Sequence, residues 1–248
     1  MRRLAALALL LTAVAACGTD ETPNTSTITV FAAASLKGAF TEIGEKFEAE
    51  HEGVTVRFNF GGSADLVAQL QQGAQADVLA TADEATMTKA TDDGLVEALA
   101  YLGTNTLEIA TPPANPANVD SIDDLTSPDV KVVVCAPEVP CGAAAARAEQ
   151  AAGVDISPVS EEQSVTDVLG KVISGEADAG LVYATDVKAA GDKVHGVPFP
   201  EAATVVNKYP LAALARSTHE PVSQEFVDFV TGPEGQAVLG AAGFGKRP

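Results

Sequence analysis

The chain has 248 residues, of which 46% are hydrophobic and 20% charged, and its formal net charge is −19 at pH 7. This composition predicts a globular core and enough chain for one large domain or two lobes. The acidic excess argues against nucleic-acid binding, and any small anion must be attracted by local groups.

The N-terminal residues predict export. A pair of arginines precedes an apolar run that is too short to span a bilayer. The run ends in "VAAC", which resembles a bacterial lipobox, whose cysteine is freed by cleavage and diacylated. We expect a lipoprotein signal peptide at 1–16, lipid on Cys17 and a polar tether at 17–26, which would hold the protein on the outer face of the cytoplasmic membrane. A plain cleaved signal is the alternative.

Strands and helices alternate after the tether. "STITVFAA" predicts a strand, and the next helix carries Leu36, Phe40, Ile43 and Phe47 at helical spacing. "GVTVRFNF", "GGSADLVAQLQQG", "ADVLATAD" and "EATMTKATDDG" then read as strand, helix, strand and helix. A β-α-β-α-β order predicts a parallel sheet covered on both faces.

A second unit follows the predicted strand "TNTLEIATPP". It contains the strand "VKVVVCAP", the helix "CGAAAARAEQAAG" and the helix "SVTDVLGKVISGEA". In the last of these, an apolar stripe is predicted from Val165, Val168, Leu169, Val172 and Ile173. "DAGLVYATD" predicts a buried strand that leads into a helix, "TVVNKYPLAALAR" an extended run, and the C-terminal residues two helices.

We therefore predict an α/β fold with two lobes, each a mixed, mostly parallel sheet flanked by helices. The first lobe comprises 27–107 plus 207–248 and the second 108–206. Extended runs near 105–111 and 204–213 would cross between them. Two crossings make a hinge, and the cleft between two lobes is a natural ligand site.

Four short motifs place a small or polar residue at a helix start. Helix N-termini carry free backbone N–H groups and a partial positive charge, so they bind oxyanions without charged side chains. The motifs are "AAAS" at 32–35, "GGS" at 61–63, "VPCG" at 139–142 and "QSV" at 163–165.

Each motif also has a purely structural explanation. Ser35 is a candidate N-cap residue, and the glycines before Ser63 can form an ordinary turn. Ser164 and Asp167 match a capping box. Tyr183 can be a core tyrosine whose hydroxyl is hydrogen-bonded internally.

Two cysteines remain once Cys17 is assigned to lipid. In an exported protein, Cys135 and Cys141 favour a disulfide bond. Two free buried thiols are the alternative. A zinc site is disfavoured, because the three histidines are scattered singly and match no ligand spacing.

The strings "ITVFAAASL", "ADVLATAD", "VPCGAAA" and "GLVYATD" resemble the substrate-binding proteins of bacterial molybdate importers. The similarity runs from about residue 27 to the C-terminal "GAAGF". It implies a two-lobed periplasmic-binding-protein fold that holds a tetrahedral oxyanion between its lobes and delivers it to an ATP-driven permease.

The resemblance also implies a ligand site for molybdate or tungstate. Ser35 and Ser63 would donate through hydroxyl and backbone N–H, Tyr183 through its phenol, and Cys141 and Val165 through backbone N–H alone. Because the Cys141 contact is main-chain, its side chain is free to bond to Cys135 and fix the direction of that N–H. "GGS" departs from the more serine-rich turn of some relatives, which puts donors at positions 61 and 62 in doubt.

The predicted function is therefore capture of molybdate or tungstate, without catalysis, cofactor or cation site, by a monomer. Alternatives are a binding protein for another oxyanion such as sulfate, a serine hydrolase using Ser35 or Ser63, a thiol oxidoreductase, and a structural lipoprotein. Neither serine lies in a G-x-S-x-G elbow, and the cysteines are not spaced C-x-x-C.

Overall fold

The computed structural model describes residues 25–248. The predicted signal peptide, Cys17 and most of the predicted tether lie outside the described residues. Ser26, which the sequence assigned to the tether, already belongs to the first strand and pairs with Val54.

Ten strands and eight α-helices make up this part of the chain. The strands are β1 Ser26–Ala33, β2 Val54–Gly61, β3 Val78–Ala80, β4 Ala100–Asn105, β5 Leu107–Thr111, β6 Val132–Cys135, β7 Ser160–Glu162, β8 Ala179–Tyr183, β9 His195–Val197 and β10 Asn207–Ala213. The helices are α1 Lys37–Glu50, α2 Ser63–Gln71, α3 Glu84–Asp92, α4 Pro140–Ala152, α5 Val165–Ile173, α6 Ala184–Ala190, α7 Glu220–Thr231 and α8 Pro233–Ala242.

The strands form two mixed five-stranded sheets, which confirms the predicted fold class. The first has the order β2-β1-β3-β10-β4 and the second the order β7-β6-β8-β5-β9. Three neighbouring strands in each sheet are parallel, and β10 and β5 run antiparallel to their neighbours. The carboxyl ends of the parallel strands lead into the starts of α1, α2, α4 and α6, where ligand sites of α/β sheets form.

The crossing between the sheets is shorter than predicted. The sequence indicated one strand across "TNTLEIATPP", but that stretch is divided between β4 and β5, which lie in different sheets. Only Thr106 separates them. Leu107, which the sequence placed in the first lobe, pairs with Tyr183 in the second sheet. The division of the whole chain into lobes at the predicted residues remains a prediction.

A return strand makes the second crossing. Asn207, the first residue of β10, lies directly opposite Asn105, the last residue of β4. The two crossings are thus hydrogen-bonded neighbours. The sequence predicted the extended run that contains β10 but did not predict β4, β7 or β9.

Aromatic packing joins α7 to α1 beside the first sheet. α7 contacts β1, β4 and β10, and its Phe226 is fully buried. The Phe226 ring meets Phe47 edge-on at 5.2 Å and Phe40 at 6.2 Å between centroids. Such contacts add to the free energy gained by burying large apolar side chains.

The apolar stripe of α5 is narrower than the sequence predicted. Val165, Val168 and Val172 are buried, but Ile173 is 44% exposed. Ile173 is the last helical residue, so the helix ends before this side chain reaches the core. Within residues 25–248, no helix has the length and apolar character needed to cross a bilayer.

Candidate functional site

A small cavity between the two sheets brings together all four helix-start motifs. The space open to the centre of a water-sized sphere is about 20 Å³, far below the roughly 300–1,000 Å³ of pockets for drug-sized ligands. The residues that line it are Ala33, Ala34, Ser35, Gly61, Gly62, Ser63, Ala82, Val139, Pro140, Cys141, Gln163, Ser164, Val165 and Tyr183. All five residues that were predicted to bind the ligand therefore line this one cavity.

The lining carries donors without formal charge. None of the residues around this cavity is an aspartate, glutamate, lysine, arginine or histidine. α2, α4 and α5 begin at the cavity, with N-caps at Gly62, Val139 and Ser164. The first N–H groups of a helix lack intrahelical acceptors and carry partial positive charge. The cavity therefore suits a group that accepts hydrogen bonds.

Ser63 presents its hydroxyl proton to this space. Its side chain is only 2% exposed, and its Oγ accepts a hydrogen bond from the backbone N–H of Ala82 at 3.1 Å. An N–H can only donate, so the serine oxygen acts as acceptor there. The Ser63 proton is left for another partner, and the bond fixes the side chain against β3.

Tyr183, at the end of β8 in the second sheet, also accepts a hydrogen bond through its hydroxyl oxygen. Its side chain is buried, and its Oη accepts from Nδ2 of Asn207 at 2.9 Å. Burial raises the pKa of Tyr183 well above its ordinary value, with smaller contributions from Tyr209 and nearby carboxylates. The phenol stays protonated at neutral pH and can donate.

Ser35 does not cap a helix. It lies in a 3₁₀ turn, Ala34–Leu36, ahead of α1, and its side chain caps neither element. Its Oγ is instead 3.0 Å from Oη of Tyr209, on β10. Burial raises the pKa of Tyr209, so this phenol also remains protonated. The N-cap explanation of Ser35 is therefore wrong.

The cysteines form a disulfide bond between Cys135 and Cys141. The bond ties the end of β6 to the first turn of α4, and both cysteines are buried. Among the described residues, the cysteine side chains are thus not free for metal, and residues 25–248 hold no cluster of potential metal ligands. The buried pair also lacks the exposure that a thiol oxidoreductase needs.

A serine nucleophile lacks a base in this cavity, because its lining contains neither histidine nor carboxylate. A serine, a histidine and an aspartate do meet elsewhere. Ser217 Oγ donates to Asp77 Oδ1 at 2.6 Å, and His219 Nδ1 lies 3.2 Å from the same oxygen. In a catalytic triad the serine bonds to the histidine instead, so this cluster does not support hydrolysis.

Sequence reasoning missed the residues behind the cavity wall. Asn105, Asn207 and Tyr209 lie in the strands that cross between the sheets. Tyr209 is hydrogen-bonded to Ser35 and to Asn105, and Asn207 is hydrogen-bonded to Tyr183. No short motif marks them. The only sequence signal was the prediction that both stretches cross between the lobes.

Gly62 lies against the second lobe in this wall of the cavity. A Cβ at Gly62 would overlap the backbone carbonyl of Gln163, which lies beyond β7 in the second sheet. The backbone angles of Gly62, φ −59° and ψ 132°, suit any residue. A Cβ at neighbouring Gly61 would meet only Leu66, at an ordinary 3.5 Å. Gly62 therefore serves lobe contact and not turn formation.

A family model described as bacterial extracellular solute-binding protein matches residues 28–245. The molybdate-binding protein ModA of Mycobacterium tuberculosis is 47% identical, covering 96% of this chain and 95% of the relative. The molybdate-binding protein ModA of Escherichia coli is 32% identical over 88% of each chain. These similarities confirm the resemblance found in the sequence.

The fold is shared with a solved structure, the periplasmic molybdate-binding protein of Azotobacter vinelandii. The TM-score is 0.76 at 22% identity, covering 88% of this chain and 98% of that one. The two-lobed architecture thus extends over nearly the whole described chain.

Replacing Gly62 with alanine should hold the lobes apart. The added Cβ cannot coexist with the Gln163 carbonyl at the present separation, so we expect a larger radius of gyration by small-angle X-ray scattering with ligand present. Gly61→Ala is the matched control and should close normally. Equal radii for both variants and the wild type would contradict the assignment of Gly62.

Asp186 should make stability depend on pH. Burial raises its pKa to about 7 from 3.8, although the Tyr183 N–H that donates to its carboxylate opposes this. The folded state therefore binds the proton more tightly than the unfolded state, and stability is lost as the pH rises from about 4 to about 7, by on the order of 1 kcal/mol per pH unit.

Asp186→Asn removes this titration. The melting temperature of the variant minus that of the wild type should be several degrees higher at pH 8 than at pH 5. Thermal melts at both pH values measure it, with the exposed Asp192→Asn as control. A pH-independent difference would rule out Asp186 as the source.

Proposed function

This chain belongs to the family of bacterial extracellular solute-binding proteins, and we propose that it captures molybdate or tungstate between its lobes and delivers the anion to an ABC importer. The proposal takes the ligand from the molybdate-binding relatives, the closer of which is 47% identical. The role is binding, in keeping with the family, and the molybdenum enters only as an oxyanion.

One observation carries the proposal: hydroxyl groups in the cavity lining already accept hydrogen bonds from within the protein, which leaves their protons for a further acceptor. Ser63 accepts from Ala82 and Tyr183 accepts from Asn207. Together with the first N–H groups at Cys141 and Val165, these residues offer protons to one space. A fully ionised dianion offers only acceptors, so the two sets are complementary.

The strength of such contacts is sufficient without lysine or arginine. A hydrogen bond to a charged group contributes roughly 1.5–3 kcal/mol net. The seven predicted donors together give roughly 10 kcal/mol or more, which exceeds the roughly 8 kcal/mol of micromolar binding, and the surplus offsets lobe closure and desolvation. An acidic protein can therefore hold an anion, because the attraction acts only within the cavity.

Selectivity follows from protonation and size. A protonated oxyanion such as hydrogen phosphate needs an acceptor for its O–H, and the cavity lining has no carboxylate. Sulfate is smaller than molybdate and would leave some donors beyond hydrogen-bond reach. Molybdate and tungstate have the same charge and nearly the same size, so both should bind.

Delivery requires export and docking. The predicted lipid on Cys17 would keep the protein at the outer face of the membrane, beside the permease. A monomer exposes both lobes for docking.

Calorimetric titration tests the ligand. Residues 18–248 are titrated with molybdate, tungstate, sulfate and phosphate, and we expect the first two to bind at micromolar concentration or tighter. Tighter binding of sulfate would favour the alternative oxyanion. Absence of binding by all four would contradict the proposed function.

Tyr183→Phe tests the cage. Loss of one charge-assisted hydrogen bond should weaken molybdate binding about 10- to 100-fold. Tyr101→Phe is the matched control, because the Tyr101 hydroxyl bonds to Glu84 on the exposed surface. Equal affinities for the two variants would exclude Tyr183 as a ligand.

The disulfide bond should support the Cys141 N–H. Replacing Cys135 and Cys141 together with alanine frees the first turn of α4 from β6, so we expect molybdate affinity to fall several-fold under oxidising conditions. Wild type treated with reductant serves as comparison. Unchanged affinity in the double variant would show that helix packing alone orients this N–H.

A further inference from the structure

Two buried asparagines sit side by side where the chain crosses between the sheets. Asn105 and Asn207 are 4% and 2% exposed and lie opposite each other in the β4–β10 ladder. Each amide nitrogen reaches a tyrosine oxygen. Asn207 Nδ2 lies 2.9 Å from Tyr183 Oη, and Asn105 Nδ2 lies 3.4 Å from Tyr209 Oη.

The orientation of the Asn207 amide is determined by partners that cannot exchange roles. Its Oδ1 accepts from Nη2 of Arg147 at 2.8 Å, and a guanidinium only donates. Its Nδ2 donates to the carbonyl oxygen of Ala82 at 3.0 Å, and a carbonyl only accepts. The nitrogen therefore faces Tyr183, and the phenol oxygen must be the acceptor in that bond.

The direction of the Tyr183 proton follows. With its oxygen accepting from Asn207, the phenol keeps its proton for another acceptor, and Tyr183 is one of the residues that line the cavity. Asn207 also joins both lobes, because Ala82 follows a strand of the first sheet while Arg147 and Tyr183 belong to elements of the second.

Asn105 belongs to a second series of hydrogen bonds that leads to the cavity. Its Oδ1 accepts from the Thr106 N–H at 3.1 Å, so its nitrogen faces Thr185 and Tyr209. Either hydroxyl can donate in the 3.0 Å contact between Tyr209 and Ser35, and we assign the donor role to Tyr209 because its oxygen already faces the Asn105 nitrogen. The Ser35 proton is left for the cavity.

We propose that Asn105 and Asn207 are positioning residues that set the direction of the hydroxyl protons in the anion cage and thereby select fully deprotonated anions. They touch no ligand themselves and act through Tyr209 with Ser35, and through Tyr183. The inference rests on the proposed function, since it assigns a cause to the donor character of that cavity.

The decisive substitution is Asn207→Asp. It keeps the size of the side chain and the Arg147 contact, but it turns the donor that faces both Tyr183 and the Ala82 carbonyl into an acceptor. Tyr183 then donates to the carboxylate, and its oxygen faces the anion. We expect molybdate affinity to fall about 100-fold or more, from the lost donor and the added charge together.

A double-mutant cycle with Tyr183→Phe separates those two causes. In the Tyr183→Phe background the added charge still repels the anion, but there is no phenol hydroxyl whose hydrogen bond could be reversed. Asn207→Asp should therefore reduce molybdate affinity by a factor at least about tenfold smaller in that background. Equal losses in both backgrounds would overturn the proposal. If Asn207→Asp fails to fold, Asn207→Ala replaces it, with a loss of about three- to tenfold that disappears in the Tyr183→Phe background.

A second measurement needs no anion. The chain has three tyrosines and no tryptophan, so its near-ultraviolet absorption reports mainly on phenols. Donation to a carboxylate should shift the Tyr183 band to longer wavelength in Asn207→Asp, and the shift should be absent when Tyr183 is phenylalanine. Absence of a shift in the ligand-free protein overturns the inference, whereas failure of wild type to bind molybdate overturns only the proposed function.

Discussion

Internal donors set the direction of the hydrogen bonds that the hydroxyl groups around the cavity can make. Hydroxyl oxygens of Ser63 and Tyr183 are occupied by internal donors, and helix starts supply further unpaired N–H groups. Burying a donor without an acceptor costs about 1–3 kcal/mol. Under the proposed function, closing the lobes over such a set is therefore favourable only around an acceptor, so anion binding and closure would be coupled.

This arrangement reconciles an acidic protein with an anionic ligand. The formal charge of −19 repels anions at long range, but salt screens that repulsion over about 10 Å. Inside the cavity the dielectric is lower, and hydrogen bonds to oriented N–H and O–H groups gain strength. Because no lining residue carries a charge, discrimination depends on the placement of donors.

The sequence predicted what local rules determine. The four motifs that contain Ser35, Ser63, Cys141 and Val165 follow from helix starts that are readable within a few residues, while the choice of these residues as ligands came from the family resemblance. The structure brings them to one cavity. Pairing between distant segments was not predictable. The register that sets Asn207 opposite Asn105, and the division of one apolar run at Thr106, depend on β10 entering the first sheet. No local pattern encodes that contact.

Contacts within each lobe hold parts of the cavity wall in place. The disulfide bond ties the first turn of α4 to β6, and Gly142 packs so closely on the Ala136 carbonyl that a Cβ there would overlap it. Ser63 is held to the segment after β3 through Ala82. Preorganised donors lose little entropy on binding. Under the proposed function, the main cost left to the anion is the relative movement of the lobes, whose two crossings are paired at Asn105 and Asn207.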